Sequence, residues 1–275
     1  EAEIRGIVQS VVSELHKENG AGTTVVPSTM MGIYSTIDEA VIAARQAQKD
    51  LRALPLEKRK EMIANVRKVC IESVAEIAQM AVSETSMGRV DDKIAKNILA
   101  ANATPGVEHL QPIAFTGDHG LTLTERAPYG VIGAITPSTN PSETIINNAI
   151  GMVSGGNAVV FNAHPGAKNT SVFVIDLINR AISEVGGPKT LLTAVAVPTM
   201  DSATALMHHE DINLLVVTGG GGVVKAAMKS GRKCIAAGPG NPPVVVDATA
   251  DINIAGVGIV RGASFDNNVI CVDEK

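Results

Sequence analysis

The sequence predicts an α/β protein whose core is a doubly wound parallel sheet. Short apolar runs alternate with longer helical patterns from Gly130 onward, which is the order of strands joined by helical crossovers. Runs such as "NAVVF" and "NLLVVT" are almost wholly apolar rather than alternating, as strands covered on both faces must be. Aromatic residues make up only 2% of a chain that is 45% hydrophobic, so Ala, Val, Ile, Leu and Met must fill the core.

The elements follow in order. "EIRGIVQSVVSEL" sets Ile4, Ile7, Val8, Val11, Val12 and Leu15 three and four residues apart, which makes one apolar stripe on a short helix. "HKENGAGTTVVPSTMMG" has no periodicity and reads as a connector. Two readings of the first helix stand side by side: it docks on its own domain, or it binds a partner. "STIDEAVIAARQAQKDLRAL" opens on a Ser35 or Thr36 cap and ends before Pro55. "LEKRKEMIANVRKVCIESVAEIAQMAVSET" reads as the next helix and "VDDKIAKNILAANA" as a third. After a strand pattern in "LTLTERAP" come strand "GVIGAIT", helix "PSETIINNAIGMVSGG", strand "NAVVF", helix "AKNTSVFVIDLINRAISEV" and strand "LLTAVAV". Helix "DSATALMHH", strand "NLLVVT", helix "VVKAAMKSG" and strands "KCIAA" and "PVVVD" complete the pattern.

A net charge of -5 and the absence of a long Lys/Arg run argue against a nucleic-acid partner. No apolar stretch approaches the ~20 residues that cross a bilayer, and the start of the chain lacks a basic segment followed by an apolar core, so a soluble, unsecreted protein is expected. Cys70, Cys234 and Cys271 form an odd set without metal-ligand spacing, which favours neither a disulfide framework nor a metal site and suits a reducing compartment. Cys70 and Cys234 lie in apolar helix and strand patterns and read as buried inert thiols. Cys271, in "SFDNNVICVDEK", is the one that looks chemically placed.

Ligands of such sheets bind at the carboxyl ends of the strands, so the loops there are the candidates. In "VVTGGGGVVKAA", Gly219 to Gly222 would let backbone N–H groups approach a pyrophosphate at the positive end of a helix, or would simply form a tight turn. "TPSTNPSET" is stiffened by two prolines and presents Asn140, which is either a donor to a developing oxyanion or a turn and capping residue. "FNAHPGAKN" carries Asn162 and His164, of which His164 reads as a surface or capping group.

"ERAPYGVIGAITPSTNP", "VVTGGGG" and a late cysteine after "FDNN" together resemble the aldehyde dehydrogenase superfamily, and the loops are most similar to its CoA-acylating branch, which includes propionaldehyde and acetaldehyde dehydrogenases of bacterial microcompartments. The resemblance runs from about Ile33 to the end of the chain. It implies a possible encapsulation-type helix over 1–18, a Rossmann-like cofactor domain over 19–242 with N-terminal helices, and the beginning of a catalytic domain over 243–275. It makes Cys271 the nucleophile that adds to an aldehyde carbonyl, with the Asn140 amide and the Cys271 N–H holding the resulting oxyanion. Hydride then passes to NAD and a thioester remains for transfer to coenzyme A. Hydrolytic relatives carry the asparagine one place nearer the first proline, where this chain has Thr139.

The same resemblance lays the cofactor along Thr136, Pro137 and Ser138, out to Asn162 and Pro165, and across Thr218, Gly219, Gly220, Val223, Ala237 and Gly238. Asn162 stands where many members have a lysine, which favours NAD over NADP. Ala237, in "AAGPGN", stands where hydrolytic relatives carry a glutamate that activates water. An acceptor thiol ionises far more readily than water and can do without that base. The implied partners are a small aldehyde, a microcompartment shell protein met through the N-terminal helix, and further copies of the full-length chain, with no nucleic acid, membrane or metal. The implied location is the cytoplasm, including the inside of a microcompartment. The stop after Cys271 reads as a truncation, with NAD binding retained and turnover low. The alternatives are a non-catalytic binding fragment and a related semialdehyde or acyl-phosphate reductase.

Overall fold

The structure, a computed structural model, describes residues 30–269. Its core is a six-stranded sheet in which every pairing is parallel: β1 (Ile33–Tyr34), β4 (Val131–Ile135), β5 (Ala158–Asn162), β6 (Leu192–Val195), β7 (Leu214–Thr218) and β8 (Cys234–Ala237), in the order β1-β6-β5-β4-β7-β8. All residues of β4, β5 and β6 are buried, which is why these runs are apolar on both faces.

Helix α1 (Ile37–Arg52) covers one face together with α7 (Met200–His208). On the other face lie α5 (Pro141–Ser154) and α6 (Lys168–Glu184), backed by α2 (Leu56–Glu72), α3 (Val74–Thr85) and α4 (Val90–Ala103). Of the two candidate caps for α1, the structure selects Thr36: its hydroxyl accepts from the Glu39 N–H while Glu39 reaches back to the Thr36 N–H. Asn179 ties α6 to β6 by bonding both the N–H and the carbonyl of Leu192.

Several expectations are corrected. The long helix over 56–85 is two helices that meet at Ser73, whose backbone (φ −97°, ψ 6°) leaves the helical region and turns α3 onto α4. The strand expected in "LTLTERAP" is borne out as β3 (Gly120–Thr124), which pairs with β2 (Ile113–Gly117) in an antiparallel hairpin that stands off the main sheet with Phe115 and Leu121 exposed. "PVVVD" is not a strand. Pro242 and Pro243 remove two N–H donors from its start, and Val245 is 88% exposed. Strand β1 and helix α9 (Ile252–Ser264), absent from the sequence reading, complete the elements. Cys70 is fully buried as expected, whereas Cys234 is only partly so.

Successive strands run β4, β5, β6 to one side, and β7 then returns to the other side of β4. The loops after β4 and β7 therefore flank a topological switch point, where a doubly wound sheet opens a crevice.

Candidate active-site cleft

A cleft of about 390 Å³ opens at this switch point. Thr136, Pro137, Ser138 and Asn140 from the β4 loop line it, with Asn162 and Pro165 from the β5 loop, Thr218, Gly219, Gly220 and Val223 from the β7 turn, and Gly238 after β8. The structure thus brings together all but one of the described residues expected at the cofactor. Ala237 is the exception: it ends β8, and its carbonyl accepts the Gly219 N–H at 3.2 Å. That bond also revises the glycine reading, because the Gly219 N–H is spent inside the sheet. The donors left for an anion are those of the first turn of α8 (Gly221–Lys229), whose N-cap is Gly220.

These residues fit a dinucleotide on three counts. The Thr136 hydroxyl is buried in the cleft wall with no hydrogen-bond partner among the described residues. A Cβ on Gly219 or Gly220 would meet no atom within 4 Å, so these glycines face open cleft. The start of α8 supplies unspent N–H groups for a phosphate. Asn162 is buried, with its amide oxygen 2.6 Å from the Ser202 hydroxyl at the start of α7. His164 accepts the Gly166 N–H at 3.1 Å and caps a short turn at the surface, as expected.

Asn140 occupies the N-cap position of α5, with Pro141 in the first turn, yet its side chain makes no capping bond. Its backbone carbonyl receives the Thr144 hydroxyl and N–H instead. The capping alternative is thereby removed, and the amide is held by another group: Lys96 Nζ donates to Asn140 Oδ1 at 2.5 Å. Asn140 and Thr218 also line a second cavity, of about 900 Å³, between α4 and α5, so these two residues form a wall shared by both spaces. Leu99, Ala103, Pro105 and Phe265 make much of the second cavity apolar.

Beside Asn140 lies a charged cluster that sequence reasoning missed. Asp266, fully buried, accepts from Lys93 at 3.0 Å, from Lys96 at 2.5 Å and from the Arg89 N–H at 2.9 Å. Lys93, also fully buried, donates in addition to the Thr139 carbonyl at 2.5 Å. Glu143 places Oε1 3.3 Å from Lys96 and accepts from the Ser142 hydroxyl through Oε2 at 3.1 Å. Burial opposes ionisation of Asp266, but hydrogen bonds from Lys96, Arg89 and Lys93 and the Lys96 charge outweigh it and hold the carboxyl below its usual range. Burial pulls the Lys93 ammonium below its ordinary value. A signal for this cluster was present: Lys93 and Asn97 occupy the inward stripe of α4, where a lysine is anomalous unless it is paired.

The segment that carries Asp266 leads toward Cys271. Asp266, Asn267 and Asn268 all hold left-handed backbones (φ 49°, 53° and 58°), a region that Asp and Asn tolerate best among side-chain-bearing residues. The described chain reaches the switch-point cleft at Val269. Cys271 and residues 1–18 lie outside the described residues. Among the described residues no cluster of three or more His, Cys, Asp or Glu could hold a metal ion, and no helix is long and apolar enough to cross a membrane.

Comparison with known proteins agrees with this geometry. The acetaldehyde dehydrogenase (acetylating) of Salmonella typhimurium is 49% identical over 274 residues, which cover 99% of this chain and 58% of that relative. The propanal dehydrogenase (CoA-propanoylating) of the same organism is 43% identical over 100% of this chain and 59% of its own length. The chain thus spans less than two thirds of the curated relatives it matches. Among solved structures, a propionaldehyde dehydrogenase from the fucose utilisation microcompartment of Clostridium phytofermentans superposes with a TM-score of 0.87 at 50% identity, over 89% of this chain and 56% of that one. A propionaldehyde dehydrogenase of Rhodopseudomonas palustris with bound CoA and an acylated cysteine gives 0.86 at 46% identity, over the same shares. Residues 8–274 match the profile of the Aldehyde dehydrogenase family, and the chain belongs to that family.

Proposed function

We propose that the protein carrying this chain is an NAD-dependent, CoA-acylating aldehyde dehydrogenase that converts a short-chain aldehyde such as propanal or acetaldehyde to its acyl-CoA. One observation carries the reading above the others. The Asn140 amide stands at the wall between a cleft that fits a dinucleotide and a largely apolar cavity that suits an aldehyde and its acyl acceptor, with its carbonyl end already engaged.

In this reading the Cys271 thiolate adds to the aldehyde carbonyl carbon and the C=O π pair moves to oxygen. Asn140 Nδ2 donates to that oxygen as its negative charge grows, which lowers the barrier because the donor is oriented before the reaction begins. Thr136, Asn162 and the first turn of α8 would hold NAD, which supplies the two-electron hydride acceptor. The acyl group then stays on Cys271 as a thioester. CoA thiolate attacks the carbonyl carbon, the bond to the Cys271 sulfur breaks, and the thiolate is restored. No carboxylate occurs in "AAGPGN" to activate water, and Glu143, beside Asn140, is engaged by Lys96 and Ser142. Both features favour the thiol acceptor.

A domain division near residue 242 belongs to this reading, since the last sheet strand ends at Ala237 and the chain comes back to α4 only at Ser264 and Asp266. So does packing of the full-length protein as a homo-oligomer in the cytoplasm or inside a microcompartment, with residues 1–18 as the segment that meets a shell protein. The apolar stripe at Ile4, Val8 and Val11 and the source of the Clostridium structure support it.

The test is an assay of the full-length protein with propanal or acetaldehyde, NAD and CoA. NADH and acyl-CoA should appear in equal amounts, and Cys271→Ala should abolish both. Aldehyde oxidation that yields free acid at the same rate with and without CoA would overturn the reading.

A further inference from the structure

We propose that Lys96 is the positioning residue for the Asn140 amide, and that the Lys93–Asp266–Lys96 cluster clamps the oxyanion donor and the segment around Asp266 in one register. This inference rests on the role proposed above for Asn140.

An amide side chain has an acceptor arm and a donor arm, and rotation of the group by half a turn exchanges them. At a site where negative charge develops, the donor arm stabilises and the acceptor arm repels. Lys96 decides between the two. Its ammonium lies 2.5 Å from Asn140 Oδ1, a contact the amide nitrogen could not replace, because two donors would then face each other. Among the described residues the opposite arm, Nδ2, has only a marginal 3.5 Å contact with the Thr139 hydroxyl, which leaves its protons for another acceptor. A cation on the oxygen also polarises the amide and makes its N–H groups stronger donors.

Lys96 is itself fixed from two sides. Asp266 Oδ2 accepts from it at 2.5 Å, and Glu143 Oε1 lies 3.3 Å away. The same Asp266 oxygen receives Lys93, whose ammonium also holds the carbonyl of Thr139, the residue before Asn140. Two lysines one turn apart on α4 thus grip adjacent residues of the β4–α5 loop and share one carboxylate. That carboxylate comes from the segment of left-handed residues just ahead of Cys271. The Asp266 N–H bonds Asp92 at 2.8 Å, and the Asn267 amide bonds the Gly88 carbonyl at 3.2 Å, so the segment is pinned at several points. The cluster holds two cations and two carboxylates in balance, and removal of Lys96 leaves Asn140 free to turn over.

The experiment compares Asn140→Ala, Lys96→Gln, Lys96→Arg and the double variant Lys96→Gln/Asn140→Ala in the full-length protein. The readouts are the pre-steady-state NADH burst, the aldehyde KM, NAD affinity by calorimetry and thermal melting. Asn140→Ala should slow the burst by roughly 10²-fold or more, and Lys96→Gln by roughly 10-fold to 10²-fold, with NAD affinity and aldehyde KM kept within about threefold. Lys96→Arg, which retains the charge, should recover part of the loss. The double variant should be no slower than Asn140→Ala by more than about threefold, because Lys96 acts through that amide. A normal burst in Asn140→Ala would sink the oxyanion reading itself. A slow Asn140→Ala with a normal Lys96→Gln, or losses that multiply in the double variant, would overturn the positioning role alone. If Lys96→Gln does not fold, Lys96→Met takes its place: an unchanged burst in the wild-type background, or a loss that multiplies with that of Asn140→Ala, decides against the proposal. A loss confined to the Asn140 background supports it.

Discussion

Gly88 and Asp266 fit one another across 178 residues of sequence: a Cβ on Gly88 would fall 2.0 Å from Asp266 Oδ1, inside the carboxylate. The corner between α3 and α4 is therefore hollowed at Gly88 to admit the acid that pairs Lys93 with Lys96. Gly88 also has φ +78°, which a side-chain-bearing residue adopts only with strain. Gly88→Ala should destabilise the fold by about 2 kcal/mol or more, combining backbone strain with displacement of Asp266. Urea unfolding measures this, and an unchanged midpoint would show that the pocket for Asp266 can relax.

The buried pairing of Asp266 has a defined pH signature. Its carboxyl is held below the ordinary value of 3.8, so its stabilisation is present above that value and is lost as pH falls through the lower native value. Asp266→Asn should cost roughly 3 kcal/mol at pH 7, since it leaves Lys93 and Lys96 short of a counter-charge while Arg89, Asp92 and Glu143 remain around them. The gap between variant and wild type should close on acidification below about pH 4, by the same linkage. A constant gap in urea midpoints across that window would assign the loss to packing instead.

The orphaned Thr136 hydroxyl separates cofactor binding from stability. Thr136→Val keeps the shape and removes a buried polar atom that has no partner among the described residues. Thermal stability of the free protein should stay the same or rise slightly, while NAD affinity falls by about 2-fold to 10-fold, the worth of one hydrogen bond. Calorimetry that finds unaltered NAD affinity would place the cofactor away from this wall.

The three thiols should react in a set order. Burial pushes the Cys70 thiol up to about 12 and raises that of Cys234 as well. At pH 8 the proposed nucleophile Cys271 should take up iodoacetamide first and Cys234 slowly. Cys70 should react only on unfolding, because the thiolate is the reactive form. Peptide mapping over time reads the order, and rapid native labelling of Cys70 would contradict its burial.

The choice of acyl acceptor is testable in a single experiment. With aldehyde and NAD but no CoA, the full-length protein should release one equivalent of NADH and stall, and CoA should restart it. In the proposed reading water lacks the roughly 10²-fold to 10⁴-fold help of a general base at the "AAGPGN" loop, where no carboxylate stands. Steady NADH production without CoA would point to another water-activating group.

The strands, most helices and the loops of interest were legible in the sequence because they rest on local pattern. Buried parallel strands must be apolar throughout, and "AVVFN" and "LLVVT" could be nothing else. The order of these elements by itself determined the doubly wound sheet, and with it the gathering of Thr136, Asn162 and Gly220 at one end. Local pattern failed where conformation depends on neighbours distant in sequence: Ser73 breaks a continuous helical periodicity, and "PVVVD" has strand composition without a strand to pair with. Only the tertiary structure decided what holds the Asn140 side chain. An N-cap asparagine ordinarily bonds its own helix, and this one does not, because Lys96, 44 residues earlier, holds its oxygen. Nor does composition reveal that Lys93 and Lys96 converge on Asp266. A buried charge is tolerable only against its counter-charge, and that partner is supplied by the folding together of residues 170 and 173 positions apart.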